Sequence, residues 1–433
     1  MSTNIRVAYI NARLLDPASN LDSIGSLLTE GEYIVDIGSN LFQDGVPADI
    51  QVIDCNGNCL APGLIDMRVQ LREPGEEHKE TLYSAGKAAV AGGITSMICL
   101  PNTNPIIDNI AILEFISNRA RKNGLAKIYS YASITKQLAG KELAEIGMLA
   151  EAGALGFTDG TKVIRNTRVM RRALSYIATF DMMILQHPED PNLSENGVMN
   201  EGKMSNRLGL TGIPTIAEAI ILERDIRLLS ITGGKYHASH LSTSLGVEVV
   251  RKAKLDGLQI TCDTAPPYFI LNELAVGDYC TFSKLSPPLR SEFDRQSIII
   301  AIKDGVIDAI ASDHAPQDQD SKRLPFSQAE YGGIGLETLL ATTLELYHNN
   351  HITLLKAIEL LSLNPARLLK LSAGMLKIGI PADLTIFDPN HSWLVNSEQF
   401  HSKSKNSPFN GHYLRGKVLR TVIDGRTVFA TDV

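Results

Sequence analysis

The chain has 433 residues, and its 41 Lys and Arg against 48 Asp and Glu give a formal net charge of −7. Hydrophobic residues make up 44% and charged residues 21%, a globular composition that argues against disorder. The acidic balance argues against a nucleic-acid partner, and no apolar stretch reaches the roughly 18 residues of a membrane span. The N-terminus lacks a secretory pattern and the five Cys form no disulfide framework. We therefore expect a cytoplasmic protein.

The two ends of the chain both predict short strands separated by turn residues. In the first 60 residues the predicted strands are Val7–Ile10, Tyr33–Ile37 and Gln51–Ile53. After residue 370 they are Leu384–Phe387, Lys417–Ile423 and Thr427–Ala430, and Asp424-Gly425 has the composition of a two-residue hairpin turn. We expect residues 1–60 and 371–433 to form one small accessory β domain.

Residues 61–370 alternate between predicted strands and predicted helices. The strands are Leu64–Gln70, Thr95–Leu100, Lys127–Tyr131, Ala154–Phe157, Met182–Gln186, Lys235–Ser239, Leu258–Cys262 and Ile307–Ser312. The helices are Thr81–Ala91, Ile110–Asn123, Glu142–Ala152, Thr167–Ala178, Thr215–Leu229, Ser244–Asp256, Gln296–Asp304, Glu337–His348 and Leu354–Leu361. Eight repeats predict a closed α/β barrel of the (β/α)8 TIM type. An open Rossmann-like sheet is the alternative, but no G-x-G-x-x-G follows the first strand.

Histidine and aspartate stand at the carboxyl ends of the predicted barrel strands, where such barrels place their active sites. His187 ends the fifth strand, His240 follows the sixth, and Asp313 follows the eighth. Neutral imidazoles and a carboxylate are ligands for Zn²⁺, which polarises a carbonyl and lowers the pKa of bound water. The pattern is typical of an amidohydrolase-type metal site.

Several ordered motifs between about Pro62 and Asp388 resemble those of type I dihydroorotases, a family of cyclic amidohydrolases. They are PGLIDMRVQLREPGEEHKET, GGITSMICLPNTNP, HASHLST, SDHAP, GLETLL, NPARLL and PADLTIFD. The resemblance implies an amidohydrolase barrel with an accessory β domain, a zinc cofactor, and a role in de novo pyrimidine (UMP) biosynthesis.

The resemblance fails at several metal positions. The family's His-x-His pair on the first strand is replaced by Arg68 and Gln70. Arg cannot lose its proton to ligate a metal, and the amide oxygen of Gln is a poor zinc ligand. Gly160 stands where the family has a bridging carboxylate, unless Asp159 substitutes for it by a one-residue shift.

The remaining family positions are mixed. His187 and His240 match two metal ligands, and Asp313 matches the residue that is both ligand and general base. On the substrate side, Arg72 and Asn102 match the residues that hold the dihydroorotate carboxylate. Two further substrate-binding positions depart from the family, with Ser286 in place of an Asn and Gln317 in place of a His.

Five departures at functional positions favour a catalytically impaired homologue without the binuclear zinc site. The resemblance then implies a structural partner of aspartate carbamoyltransferase, assembled as a homo-oligomer or hetero-oligomer. The alternative is an active dihydroorotase, or related cyclic amidohydrolase, with a single zinc on His187, His240 and Asp313. A third interpretation is a sensor that retains Arg72 and Asn102 to bind dihydroorotate or carbamoyl-aspartate.

Charge balance predicts a role for Arg68. The first and eighth strands are neighbours in a closed barrel, so Arg68 lies near Asp313. A buried Asp313 without metal would be an uncompensated charge costing several kcal/mol. We therefore expect Arg68 within about 4 Å of Asp313, with hydrogen bonds added by Gln70. The polar segment 317–328 is predicted to be a mobile loop on the catalytic side.

Overall fold

The computed structural model of the protein describes residues 5–431. Its strands are Arg6–Asp16 (β1), Leu21–Glu30 (β2), Tyr33–Gly38 (β3), Gln51–Asp54 (β4), Cys59–Pro62 (β5), Leu64–Val69 (β6), Ile94–Cys99 (β7), Lys127–Ser130 (β8), Met183–Gln186 (β9), Met199–Asn200 (β10), Gly212–Ile213 (β11), Lys235–Ala238 (β12), Ile260–Thr264 (β13), Ala309–Ile310 (β14), Leu384–Leu394 (β15), Tyr413–Ile423 (β16) and Arg426–Ala430 (β17).

The α-helices of the described range are Leu82–Ala91 (α1), Ile110–Asn123 (α2), Ile146–Glu151 (α3), Thr167–Ala178 (α4), Lys203–Leu208 (α5), Ile216–Thr232 (α6), Ser244–Leu255 (α7), Pro266–Ile270 (α8), Glu292–Lys303 (α9), Gln319–Arg323 (α10), Leu339–His348 (α11), Leu354–Ile358 (α12) and Asn364–Leu368 (α13). Among them, none combines the length and the apolar composition needed to cross a bilayer.

Eight parallel segments close into the predicted barrel. Strands β6, β7 and β8 form one run, and β9, β12, β13 and β14 form the other. Phe157 joins the runs on one side through parallel bridges to Ala132 and Ile184, and a bridge from Val69 to His314 closes the other side. The (β/α)8 barrel is therefore confirmed, although its fourth strand is reduced to these bridges.

Both chain ends contribute to one β-sheet beside the barrel, as predicted. Its order is β17-β16-β15-β5-β1-β2-β3, with β4 paired to β1. The hairpin between β16 and β17 turns at Asp424 and Gly425, whose φ values of 48° and 70° match the primed turns that such hairpins favour. The Thr385 hydroxyl donates to the Gly93 carbonyl at 2.6 Å, which ties this sheet to the barrel.

Capping residues explain the bounds of two barrel helices, α2 and α4. Helix α2 begins after Asn109, whose side chain accepts a hydrogen bond from the Ile112 amide, and it ends at Gly124 in the left-handed region. Helix α4 begins after Asn166, which accepts from the amides of Arg168 and Val169. Both helices have the predicted bounds.

The barrel interior is apolar toward the amino-terminal ends of the strands and polar at their carboxyl ends. Tyr131, Met67 and Leu185 pack inside the barrel, and Ala366 and Leu369 close its amino-terminal end.

Candidate functional site

Basic and acidic side chains alternate in a series across the barrel mouth. Arg68 Nε lies 3.3 Å from Asp313 Oδ1, and the same oxygen lies 3.0 Å from His240 Nε2. On the far side of that imidazole ring, His240 Nδ1 lies 2.9 Å from Asp263 Oδ1. The second Asp263 oxygen is 3.3 Å from His237 Nε2. The contact predicted between Arg68 and Asp313 is present, and we call these five residues the charged series.

The backbone turns sharply at three residues that follow the carboxyl ends of barrel strands. Arg72, His240 and Asp313 have φ values of 60°, 56° and 49°. Residues other than Gly rarely occupy this left-handed region, and those that do are concentrated at functional sites. Asp263 helps to hold one such turn, because its Oδ1 accepts the backbone N–H of His240 at 2.7 Å.

The neighbouring carboxylates keep His240 protonated. Burial alone would lower the pKa of His240, but Asp313 and Asp263 raise it to about 9. Burial alone would raise the pKa of Asp263, but His240 and His237 hold it well below its usual range. The pKa of Asp313 is also lowered, since the charges of His240 and Arg68 outweigh its burial. His240 thus forms an ion pair with a carboxylate on each side of its ring, at 3.0 Å from Asp313 and 2.9 Å from Asp263.

The ring of His187, in contrast to that of His240, is neutral. Burial, together with the charges of Arg68 and His240, lowers the pKa of His187 to about 3, so its ring is neutral. Its Nε2 lies 3.5 Å from the Ser286 hydroxyl, while Nδ1 is buried without a hydrogen-bond partner. Ser286, at a substrate-binding position of the family, therefore contacts His187.

The other predicted substrate side chains are engaged with each other or with the protein. Arg72 donates from Nη1 to Glu76 at 2.9 Å and from Nε to the Pro316 carbonyl at 3.2 Å. Asn102 Nδ2 donates to Gln70 Oε1 at 3.0 Å. The expectation that Gln70 would add hydrogen bonds to Asp313 is thus wrong, because within residues 5–431 the hydrogen bond of the Gln70 side chain is the one it accepts from Asn102.

The alternative that Asp159 replaces the carboxylate missing at Gly160 is not supported by the geometry. The Asp159 carboxylate accepts from the backbone amides of Ile134 and Thr135 at 2.9 and 3.0 Å, and also from the Thr135 hydroxyl. It therefore holds a neighbouring loop. Gly160 itself has φ of 68°, a conformation that suits glycine.

The segment 317–328, predicted to be a mobile loop, contains helix α10 and has a few buried side chains among mostly exposed residues. Gln317 Nε2 donates to the Tyr331 carbonyl at 2.7 Å, so this substrate-position residue fastens the segment. Lys322 is buried and donates to the carbonyls of Thr281, Lys284 and Glu330 at 3.0, 3.4 and 2.6 Å. Burial lowers the pKa of Lys322 to about 7. The mobility of the segment stays a prediction, and Gln317 and Lys322 are the two side chains that hold it to neighbouring loops.

Comparison with known proteins identifies the family. Residues 57–245 match the model of the family described as dihydro-orotase-like. The chain is 48% identical to the dihydroorotase of Ehrlichia canis, covering 98% of this chain and 95% of that protein. It is 46% identical to the dihydroorotase of Anaplasma phagocytophilum, covering 98% and 96% of the two chains. The chain belongs to the dihydroorotase family.

Solved structures agree with this assignment at the level of the fold. The L-hydantoinase (dihydropyrimidinase) of Arthrobacter aurescens superposes with a TM-score of 0.87 at 23% identity, over 98% of this chain and 96% of that one. The dihydropyrimidinase of Brevibacillus agri gives a TM-score of 0.83 at 21% identity, over 98% and 95%. The amidohydrolase barrel with a β domain built from both chain ends is thereby confirmed.

The side chains of this dihydroorotase-family protein do not fit the family's zinc. Within residues 5–431, no group of three or more His, Cys, Asp and Glu is arranged to hold a metal ion. The side chains present agree with this finding, since Arg68 lies 3.3 Å from Asp313 and Gly160 supplies no carboxylate. A zinc on His187, His240 and Asp313 would require His240 to lose a proton and Arg68 to withdraw.

Sequence analysis missed Asp263, which links two histidines of the charged series. The predicted seventh strand stopped at Cys262, whereas β13 continues through Asp263 to Thr264. Inspection of the carboxyl end of that strand, as for its neighbours, would have found this carboxylate. The importance of Glu80 was also missed. This fully buried carboxylate accepts from the Ser402 hydroxyl and lies 3.4 Å from His314 Nε2.

Proposed function

We propose that this protein is a dihydroorotase of pyrimidine biosynthesis, which opens the cyclic amide of dihydroorotate to N-carbamoyl-aspartate and closes it in the reverse direction. The observation that carries the proposal is the 48% identity to a curated dihydroorotase over 98% of this chain and 95% of the relative. Near-complete coverage of both chains means that the barrel and the β domain are shared.

Asp313 is the group of this chain best suited to accept a proton in that reaction. Its carboxylate is ionised, and its side chain keeps 15% exposure at the barrel mouth. Because Arg68 and His240 lower the pKa of Asp313, it is a weaker base than an ordinary carboxylate. Arg68 Nη1 is buried without a hydrogen-bond partner and is a cationic donor at the same place. We therefore expect slow turnover that does not depend on added zinc.

The test is turnover of the full chain in both directions, with and without zinc and after treatment with a chelator. Asp313→Asn should abolish turnover, and chelation should leave the wild-type rate unchanged. Asp304→Asn is the matched control, because Asp304 is an exposed residue paired with Arg251. The proposal would be overturned if no turnover is found in either direction at any pH at which the protein remains folded.

A second candidate is supported by the charged series itself. Arg68 neutralises Asp313 in the place where the family needs metal ligands, which favours a catalytically impaired protein that acts as a structural partner of aspartate carbamoyltransferase. The partner transferase should co-elute with the chain in size-exclusion chromatography and gain thermal stability. Asp313→Asn should leave this association intact. Separate elution of the two proteins at micromolar concentration would contradict this second candidate.

A further inference from the structure

The family's receptor for the substrate carboxylate is already occupied by a carboxylate of this chain. Arg72 Nη1 lies 2.9 Å from Glu76 Oε2, and Lys79 Nζ lies 2.6 Å from the other Glu76 oxygen. An incoming carboxylate would have to displace Glu76 from two cations. Cations without such a carboxylate partner are better placed to receive an anionic ligand.

A cleft of about 620 Å³ opens beside His187 and has basic side chains on its rim. Lys141, Lys162 and Arg165 line it and are exposed. Within residues 5–431, none of the three side chains has an ion pair within 4 Å or a side-chain hydrogen bond. Three unpaired cations around one cleft are an electrostatic receptor for an anion.

His187 supplies a second, independent observation at the base of this cleft. The residue is 3% exposed, lines the cleft, and has a buried Nδ1 without a hydrogen-bond partner. An unsatisfied buried polar atom is costly, and it indicates a missing partner. Because Nε2 faces the Ser286 hydroxyl at 3.5 Å, Nδ1 is the ring nitrogen that remains for a ligand.

The acidic side chain that lines the cleft does not cancel these charges. Glu189 lines the cleft, but within residues 5–431 it forms no ion pair within 4 Å with Lys141, Lys162 or Arg165. Asp159 influences Lys162 electrostatically, but its oxygens are already engaged by backbone amides.

Helix α4 extends the same positive field beyond the rim. Arg168, Arg171 and Arg172 are exposed in its first two turns, and its first turn contains no acidic residue. Cations at a helix N-terminus oppose the helix dipole, and like charges three or four residues apart repel each other. This local conflict is relieved when an anion approaches, and the field steers anions toward the cleft.

We propose that this cleft is a binding site for a small molecule with two carboxylates, held by Lys162 and Arg165 at the rim and by a neutral carbonyl or amide group at His187. The cleft volume lies within the range typical of ligand sites. The choice of N-carbamoyl-L-aspartate as the ligand to try first rests on the proposed function. The site itself rests on the unpaired cations and the unsatisfied imidazole nitrogen.

Isothermal titration calorimetry of the full chain with N-carbamoyl-L-aspartate tests the site. Lys162→Gln/Arg165→Gln should weaken binding by about tenfold or more, the size expected for losing charge-assisted hydrogen bonds. Arg171→Gln/Arg172→Gln removes the same charge from α4 outside the cleft, and it should weaken binding less than about threefold. Succinate should bind more weakly than N-carbamoyl-L-aspartate, because it lacks a group for His187, and it should show the same dependence on Lys162 and Arg165.

Three results would overturn the proposal. They are no binding by the wild type at about 10 mM ligand, an equal loss in the two double variants, or a dominant loss in Arg72→Gln. Turnover is measured separately, so the two proposals can fail separately. Binding that depends on the cleft without any turnover removes the proposed activity alone, whereas turnover without cleft-dependent binding removes this site alone.

Discussion

Replacing Arg68 with Met tests whether an internal cation holds the barrel mouth together. Arg68 is 2% exposed, and its Nε lies 3.3 Å from Asp313. Met keeps much of the apolar length of the side chain, so the substitution removes mainly the charge. Asp313 then depends on His240 alone for compensation, at 3.0 Å.

The expected loss of stability follows from this geometry. Removing one partner of a fully buried ion pair costs about 3–5 kcal/mol. Two features reduce that figure here, because Asp313 keeps the His240 contact and Arg68 Nη1 has no hydrogen bond to lose. We therefore expect the free energy of unfolding to fall by about 2–3 kcal/mol. Adding Asp313→Asn should cost less than the sum of the single changes, with a coupling of about 1–2 kcal/mol.

Guanidinium unfolding followed by circular dichroism and by the fluorescence of Trp393 measures these values. Trp393 is the single tryptophan and lies in β15 of the terminal sheet, so agreement between the two signals tests cooperative unfolding of sheet and barrel. Arg251→Met is the control, because Arg251 pairs with Asp304 at the surface and should cost less than about 1 kcal/mol. The reasoning is refuted if Arg68→Met is no more destabilising than this control, or if the double-mutant cycle is additive within about 0.5 kcal/mol.

Three further predictions concern the zinc content of the protein, the segment around Lys322 and the buried carboxylate of Glu80. By mass spectrometry after dialysis, wild type should retain well under one zinc per chain and Arg68→His/Gln70→His should retain more; equal contents would contradict the charge argument. Lys322→Met removes three hydrogen bonds and should raise hydrogen exchange in residues 318–331 by about tenfold or more, whereas the exposed neighbour change Arg323→Met should not. Glu80→Gln should cost about 2 kcal/mol at pH 7. His314 and hydroxyl donors outweigh burial and lower the pKa of Glu80, so its stabilisation is complete above its ordinary value of 4.5 and is lost as pH falls below it. A difference between wild type and Glu80→Gln that persists unchanged at low pH would refute this assignment.

Sequence reasoning succeeded where one local rule determined the result. The alternation of strands and helices predicts a closed barrel, and closure makes the first and eighth strands neighbours. The opposite charges of Arg68 and Asp313 then predict their contact, which is present at 3.3 Å. The bounds of α4 were predictable because Asn166 is a strong N-cap residue directly before an amphipathic segment.

Sequence reasoning failed where the partner of a residue depends on tertiary structure. Strand β2 has no regular alternation in its first half, and it forms because β1 and β3 pair with it on both sides. Lys322 has the sequence context of a surface residue, yet three backbone carbonyls converge on its ammonium group. Gln70 pairs with Asn102, which is 32 residues away in the sequence, rather than with Asp313.

The alternating charges explain why loss of the metal ligands involves several positions together. A divalent cation beside Asp313 would meet Arg68, protonated His240 and no carboxylate at position 160. If Arg68 alone becomes His, one repulsive charge is removed, but Gln70 still stands where a second imidazole ligand is needed. The bridging ligand is also still missing, and a carboxylate at Gly160 would have to adopt a φ of 68°. Restoring a binuclear centre would therefore require simultaneous changes at residues 68, 70 and 160, because each single reversal leaves a charge or a ligand unmatched.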